Sequence, residues 1–184
     1  MNSHPTHSHQ QEKLTLEILK KRPVFGIITA GLITITVLYT FGFLKSLPCG
    51  EGVLKGLNRS FIHINAVHII SNLFVFYILS RIEVIHGSKV FISLIIQLSI
   101  LTTFIELLLH YVVHVPCSIG FSGILFGLAV WELIYDRSVN LALLLGISAM
   151  VVLPSLNNPK ASLVGHGVGA LSGLILASYY QPTP

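Results

Sequence analysis

Residues 161–180 read ASLVGHGVGALSGLILASYY and contain no charged side chain. An uncharged, mainly apolar stretch of about 18 or more residues is typical of a helix that crosses a membrane. Gly165, Gly169 and Gly173 recur at every fourth position, a spacing that lets membrane helices pack with their backbones in contact. His166 lies among them, and an ionisable group inside a membrane segment usually faces the interior of a helix bundle. The stretch therefore predicts a membrane helix that packs closely against a neighbour.

Similar apolar stretches recur along the rest of the chain. Of its 184 residues, 53% are hydrophobic and only 10% are charged, and the mean hydropathy is +0.80. A soluble domain carries about 25% charged residues, so this composition excludes a soluble globular enzyme and a disordered chain. We predict an all-α membrane protein with six spans, at residues 24–44, 61–80, 90–115, 119–135, 139–156 and 161–180.

The segments outside the spans predict how the chain is organised and oriented. Residues 1–22 are expected to form a disordered cytoplasmic tail, residues 23–181 the membrane domain and residues 182–184 a short C-terminal tail. If all six stretches span, seven lysines and arginines fall on the side of the N-terminus and four on the other side. Basic residues are enriched in cytoplasmic loops, so both termini are predicted to be cytoplasmic. The net charge of +4 then reflects membrane orientation, and we expect a lipid bilayer, not nucleic acid, as the partner.

Polar side chains inside the spans mark a candidate site, because such groups are costly in a membrane. His68 and Asn72 are four residues apart, which places them on one face of a helix. Ser122 is expected about one turn inside the start of its helix, where free backbone N–H groups and the positive end of the helix dipole lie. His166 is expected about one turn into the last span. All four are predicted at a similar depth on the non-cytoplasmic side, whereas His63 is less well aligned with His68 on a continuous helix.

Glycines are expected to bring these polar groups together. Gly120, Gly123 and Gly127 lie at the start of the fourth span, and the last two form a G-x-x-x-G like that of the sixth span. Small residues at this spacing allow two helices to pack closely. Close packing is what a serine hydroxyl needs to reach an imidazole at ~2.6–3.2 Å.

The residue types at this site suit nucleophilic catalysis. A serine is a weak nucleophile until a base takes its proton, and His166 is the candidate general base for Ser122. An acidic third member would orient the histidine in a full triad, but none is expected at the right depth, and Glu106 is mid-span and not obviously near. We therefore predict a serine–histidine dyad. His68, Asn72 and the Ser122 backbone N–H would donate hydrogen bonds to the oxyanion.

The sequence implies neither a metal nor a cofactor. Cys49 and Cys117 make no metal site and no disulfide framework, although they could pair on one face of the membrane. The carboxylates Glu106 and Glu132 have no clear role, and their wide separation argues against a proton path.

Taken together, the motifs resemble those of the rhomboid intramembrane serine proteases. They are His68-Ile-Ile-Ser-Asn72, Gly120-Phe-Ser122-Gly123 and His166-Gly-Val-Gly169-Ala-Leu-Ser-Gly173, in order, on the second, fourth and sixth spans. The resemblance covers about residues 24–180 and implies a six-transmembrane-helix rhomboid-like bundle. Two positions depart from the family pattern. Leu79 replaces the first glycine of a G-x-x-x-E-x-x-x-G around Glu83, and Phe126 replaces a frequent tyrosine that stacks on the histidine.

The same resemblance implies an intramembrane serine endopeptidase. Such an enzyme would bind transmembrane proteins and cleave them close to the non-cytoplasmic face. Ser122 would be acylated, and a water activated by His166 would then hydrolyse the acyl-enzyme. The loop at residues 155–160 would act as a lid.

Two other classes of function stand as alternatives. A catalytically inactive rhomboid-like protein would bind and route membrane clients. Such relatives usually lack the serine or the histidine, and this chain has both. A transporter would place ionisable residues along a path across the bilayer, whereas the polar cluster predicted here stays on one side.

Overall fold

The computed structural model describes residues 20–45, 52–135, 141–155 and 159–179. The expected N-terminal tail lies outside the described residues except for residues 20–22, and the expected C-terminal tail, 182–184, lies wholly outside them. Within the described ranges the regular secondary structure is helical throughout. The helices in chain order are α1 (Pro23–Thr40), α2 (Val53–Arg59), α3 (Ala66–Leu79), α4 (Arg81–His86), α5 (Ser88–Val113), α6 (Ser122–Tyr135), α7 (Leu141–Ser155) and α8 (Pro159–Tyr179).

Several helices have the length and hydropathy of membrane spans. Among the described residues, three segments are long and apolar enough to cross a bilayer: α1, α3 together with α4, and α5. Helix α6 and the part of α8 from residue 163 are apolar but shorter. The 14 residues of α6 cover about 21 Å, less than a hydrocarbon core of about 30 Å. The prediction of an all-α membrane protein with a rhomboid-like bundle is confirmed.

Two helices of the site begin at other residues than the apolar pattern suggested. Helix α3 begins at Ala66, five residues after the predicted start of its span, because the Asn65 side chain accepts a hydrogen bond from the His68 backbone N–H at 2.8 Å and caps the helix. Helix α6 begins at Ser122 itself. The prediction that Ser122 lies one turn inside this helix was wrong. Gly120 has a φ of +111°, a value that does not occur in a right-handed helix, so the helix cannot begin before it.

The core of the bundle is built from aromatic rings. Phe76 of α3 and Phe91 of α5 stack with their centroids 5.8 Å apart, and Phe121 meets Phe76 edge-on at 5.2 Å. All three are fully buried. Large apolar side chains also cover the outside of the bundle, as Ile70 and Phe104 show. Such an apolar exterior suits a hydrocarbon surrounding and would promote aggregation in water.

One buried carboxylate holds the start of α1 against the bundle. The Glu83 side chain accepts hydrogen bonds from the backbone N–H groups of Val24 and Phe25 at 2.9 and 3.0 Å, and from the Ser88 hydroxyl at 2.7 Å. The first N–H groups of a helix have no partner within the helix, and a carboxylate there is also favoured by the helix dipole. Glu83 therefore fixes where α1 enters the bundle, and Leu79 in the preceding turn is fully buried beside it.

Glu132, which had no role on sequence grounds, forms an ion pair. Its buried carboxylate on α6 meets the Arg81 guanidinium at the start of α4. Breaking a buried ion pair leaves an uncompensated charge, which is strongly destabilising. The pair therefore joins α4 to α6 at the end of α6 that lies away from Ser122.

Replacing Glu83 by alanine should destabilise the protein by about 3 kcal/mol, since hydrogen bonds to a charged group contribute ~1.5–3 kcal/mol each. Glu83→Gln, which keeps one acceptor oxygen, should lose less. Thermal unfolding in detergent micelles measures both effects. The control is Ile85→Ala, because Ile85 lies two residues on and is 57% exposed. An unchanged midpoint in Glu83→Ala would show that the α1 contact contributes nothing.

Candidate functional site

The site is organised by a contact between the backbones of α6 and α8. A Cβ atom added to Gly169 would overlap the carbonyl group of Gly123, and one added to Gly173 would overlap that of Gly127. On the other side, a Cβ on Gly123 would lie 3.2 Å from the Gly165 carbonyl oxygen. Glycine is required where two backbones approach this closely. The two helices therefore meet over two turns with no side chain between them.

Ser122 opens α6 and faces the interior of the protein. Ser122 is 6% exposed, and His166 is 7% exposed. The turn before the serine is held by a hydrogen bond from the Gly120 N–H to the Arg59 carbonyl oxygen at 3.1 Å. As the first residue of the helix, Ser122 has a backbone N–H that lacks a partner within the helix. Ser122 thus places a hydroxyl and an N–H donor at the same point.

The imidazole of His166 lies over the face of α6 that carries Ser122. The ring of Phe126 stacks on it with a centroid distance of 4.3 Å and an interplanar angle of 17°. Phe126 is four residues beyond Ser122, so both project from one face of α6, a turn apart. His166 is the eighth residue of α8, deeper in its helix than the predicted single turn, because α8 begins at Pro159.

His68 and Asn72 line the turn that precedes the serine. A Cβ on Gly120 would lie 2.5 Å from Cε1 and 2.7 Å from Nε2 of His68, and 3.7 Å from Nδ2 of Asn72. Glycine is therefore needed at position 120 for two reasons: these two side chains lie too close for a Cβ atom, and the turn has a positive φ. Nδ1 of His68 and Oδ1 of Asn72 are buried and have no hydrogen-bond partner among the described residues. The two polar side chains thus lie beside the backbone that leads into Ser122.

His63 belongs to this cluster, although its spacing in the sequence suggested poor alignment. Its Nε2 lies 2.8 Å from Nδ2 of Asn72, and its ring meets that of His68 edge-on at 5.0 Å. The amide donates, so Nε2 accepts, which leaves the ring proton on Nδ1, 3.4 Å from the Thr36 hydroxyl. His63 and His68 do not lie on one continuous helix, because residues 60–65, between α2 and α3, are not helical. The capping residue Asn65 was the signal that could have shown this.

Two further sequence expectations concern the edges of the site. Cys117, five residues before Ser122, is disulfide-bonded, and Cys49 lies outside the described residues. The proposed lid at 155–160 lies partly outside them as well. Among the described residues, no three histidine, cysteine, aspartate or glutamate side chains are grouped so that they could hold a metal ion.

Comparison with known proteins points to one family. The Rhomboid domain family matches residues 53–182 of the chain. A protein of Acanthamoeba polyphaga mimivirus that is named as a rhomboid is 30% identical over 152 residues, which cover 80% of this chain and 87% of the relative. The matched range contains the turn at Gly120 and the glycine contact between α6 and α8.

Gly169→Ala should destabilise the protein, because the new methyl group would overlap the Gly123 carbonyl and neither backbone can yield cheaply. Overpacking of this kind costs about 1–3 kcal/mol. The matched control is Gly167→Ala on the same helix, where an added Cβ meets nothing within 4 Å. Because alanine favours a helix over glycine by about 1 kcal/mol, the control should be as stable as the wild type or more so. Equal unfolding midpoints for the two variants in detergent would contradict the contact.

Proposed function

Because the chain belongs to the rhomboid family, and is an integral membrane protein by its fold and hydropathy, we propose that it is an intramembrane serine endopeptidase. Its substrates would be transmembrane proteins, cleaved near the non-cytoplasmic face of the bilayer. The N-terminus would then lie in the cytoplasm, as the distribution of basic residues predicts. The proposed reaction needs no metal and no cofactor.

In the proposed mechanism, Ser122 is the nucleophile and His166 is the general base. His166 takes the proton of the Ser122 hydroxyl while the serine oxygen forms a bond to the carbonyl carbon of the scissile peptide. The tetrahedral intermediate then collapses, the peptide C–N bond breaks, and His166 returns the proton to the leaving amine. A water molecule deprotonated by His166 then attacks the acyl carbon, the ester bond to the Ser122 oxygen breaks, and His166 returns the proton to that oxygen as the acid product leaves. No acidic side chain is assigned to this dyad.

The observation that carries this proposal is the stacking of Phe126 on His166 one turn above Ser122. Stacking favours this orientation of the imidazole by ~0.5–1.5 kcal/mol beyond area burial, and so keeps it over the face of α6 on which the serine lies. The Gly123–Gly165 contact supports the same arrangement, since it brings the backbones of the two helices together one residue from each member of the dyad.

Three donors are proposed to stabilise the oxyanion: the side chains of His68 and Asn72, and the backbone N–H of Ser122. Both side chains lie against Gly120, two residues before the serine. The Asn72 amide has two N–H donors. Its contact with His63 uses one of them and holds the amide in place, which leaves the second for a ligand. Donors that are fixed before the reaction stabilise developing charge without reorganisation.

Ser122→Ala and His166→Ala should both abolish cleavage of a transmembrane substrate in liposomes and covalent labelling by a fluorophosphonate. Ser172→Ala is the matched control, because Ser172 is fully buried on α8 and donates its hydroxyl to the Val168 carbonyl oxygen at 2.8 Å, within its own helix. This variant should keep its labelling. A folded wild type that neither labels nor cleaves would overturn the proposal and favour a rhomboid-like protein that binds membrane clients.

Asn72→Ala should lower kcat by a factor of about 10²–10³, the usual cost of removing one oxyanion donor. The protein should stay folded, so that the loss of rate is not a loss of structure. The check is single-turnover cleavage of a saturating substrate. A rate equal to that of the wild type would remove Asn72 from the oxyanion site.

Phe126→Leu should slow acylation by up to about tenfold, because aromatic stacking contributes ~0.5–1.5 kcal/mol beyond area burial. Phe126→Tyr keeps the ring and is the matched control, which should label as fast as the wild type. The measurement is the second-order rate of fluorophosphonate labelling on protein shown to be folded. An equal rate for the leucine variant would show that stacking does not position the imidazole.

A further inference from the structure

Glu106 lies nearer to the site than its mid-span position suggested. The residue is on α5, its side chain is 9% exposed, and its carboxylate accepts a hydrogen bond from the hydroxyl of Ser118. Ser118 belongs to the segment that leads from α5 into Ser122. The place of Glu106 near the site was not obvious from the sequence, because it depends on the chain turning back after α5: His114 has a left-handed φ of +52° and ends the helix. The turn brings Ser118 back beside the last turns of α5.

The Glu106–Ser118 pair lies directly against the residue that precedes His166. A Cβ on Gly165 would lie 2.5 Å from Cβ and 2.6 Å from Oγ of Ser118, and 3.3 Å from Oε1 of Glu106. The pair therefore occupies the space that a side chain at Gly165 would need. Three elements meet at this point: α5, the segment before Ser122, and the part of α8 that carries His166.

We propose that Glu106 is a positioning residue: it holds Ser118 against Gly165 and so sets the position of Ser122 relative to His166. The expected effect of Glu106 on the reaction rate rests on the proposed function. Its expected effect on the structure rests on the contacts alone. Ser118 is four residues before the nucleophile, and Gly165 is adjacent to the base. Glu106, Ser118 and Gly165 thus form a clamp. A displacement of Ser118 or Gly165 would be passed on to Ser122 and His166, which lie four residues and one residue away along the chain.

The energetic cost of a buried carboxylate and the location of Glu106 both support a positioning role for this residue. A carboxylate inside a membrane segment is expensive and marks a functional position. Arg59 is buried as well, and its carbonyl oxygen accepts the N–H of Gly120 in the turn before Ser122. Glu106 thus acts on the approach to the serine through the hydroxyl of Ser118.

The first test compares rates of fluorophosphonate labelling for Glu106→Leu, Glu106→Gln and Ser118→Ala on folded protein in detergent. A misplacement of about 1 Å can cost about 10²-fold in rate, so we expect Glu106→Leu and Ser118→Ala to label about 10- to 100-fold more slowly. Glu106→Gln keeps an acceptor oxygen and should recover most of the rate. With a transmembrane substrate, kcat should fall and KM should stay unchanged. Ser99→Ala is the control on α5, since Ser99 is buried but bonds to Ile95 of its own helix at 2.7 Å.

The second test is independent of activity. Hydrogen–deuterium exchange in residues 114–121 and 163–168 should be faster in Glu106→Leu and Ser118→Ala than in the wild type, and unchanged in Ser99→Ala. If Glu106→Leu does not fold, Ser118→Ala carries both measurements. Wild-type rates and wild-type exchange in Ser118→Ala would overturn the inference. A wild type that does not label would instead count against the proposed function, and the exchange data would still decide whether the clamp exists.

Discussion

The contact between the backbones of α6 and α8 is the constraint on which the arrangement of the site depends. In a bilayer there is little hydrophobic force between helices, since lipid chains are as apolar as the side chains, and close packing must supply the attraction. Gly123 against Gly169 and Gly127 against Gly173 provide that packing over two turns. Once the two backbones are in contact, the relative height and rotation of the helices are set. The positions of Ser122 and His166 follow.

Buried carboxylates join further elements of the bundle to one another. Glu83 binds the first N–H groups of α1, Glu132 binds Arg81 at the start of α4, and Glu106 binds Ser118 before α6. Each of them links two elements, and each is almost fully buried. A charge in such a place is tolerated only when it is paired or hydrogen-bonded. The same requirement makes these links specific, because a slipped helix would leave a carboxylate without partners.

The helical class and the contact between α6 and α8 in the candidate site could be predicted from the sequence, because they depend on local properties. The apolar stretches marked the membrane helices, and the glycine spacing on α6 and α8 marked their contact. The predictions failed where backbone geometry interrupts a helix. Ser122 is the first residue of α6 because the positive φ of Gly120 turns the chain just before it. His63 contacts Asn72 because Asn65 caps α3, so that His63 lies before the start of that helix. A hydropathy pattern does not register such interruptions, since the residues around them are uncharged and include apolar side chains such as Phe61 and Phe121.

The amino-acid sequence was sufficient for the membrane environment, the helical class and the residue types of the site, since hydropathy, spacing and side-chain chemistry are carried by each segment alone. The tertiary structure decided which polar groups meet. Glu106 and Ser118 are separated by 12 residues, and Arg81 and Glu132 by 51. Such pairs depend on the rotation of whole helices and on the path of the turns between them. These are set by packing across the bundle, and no single segment specifies them.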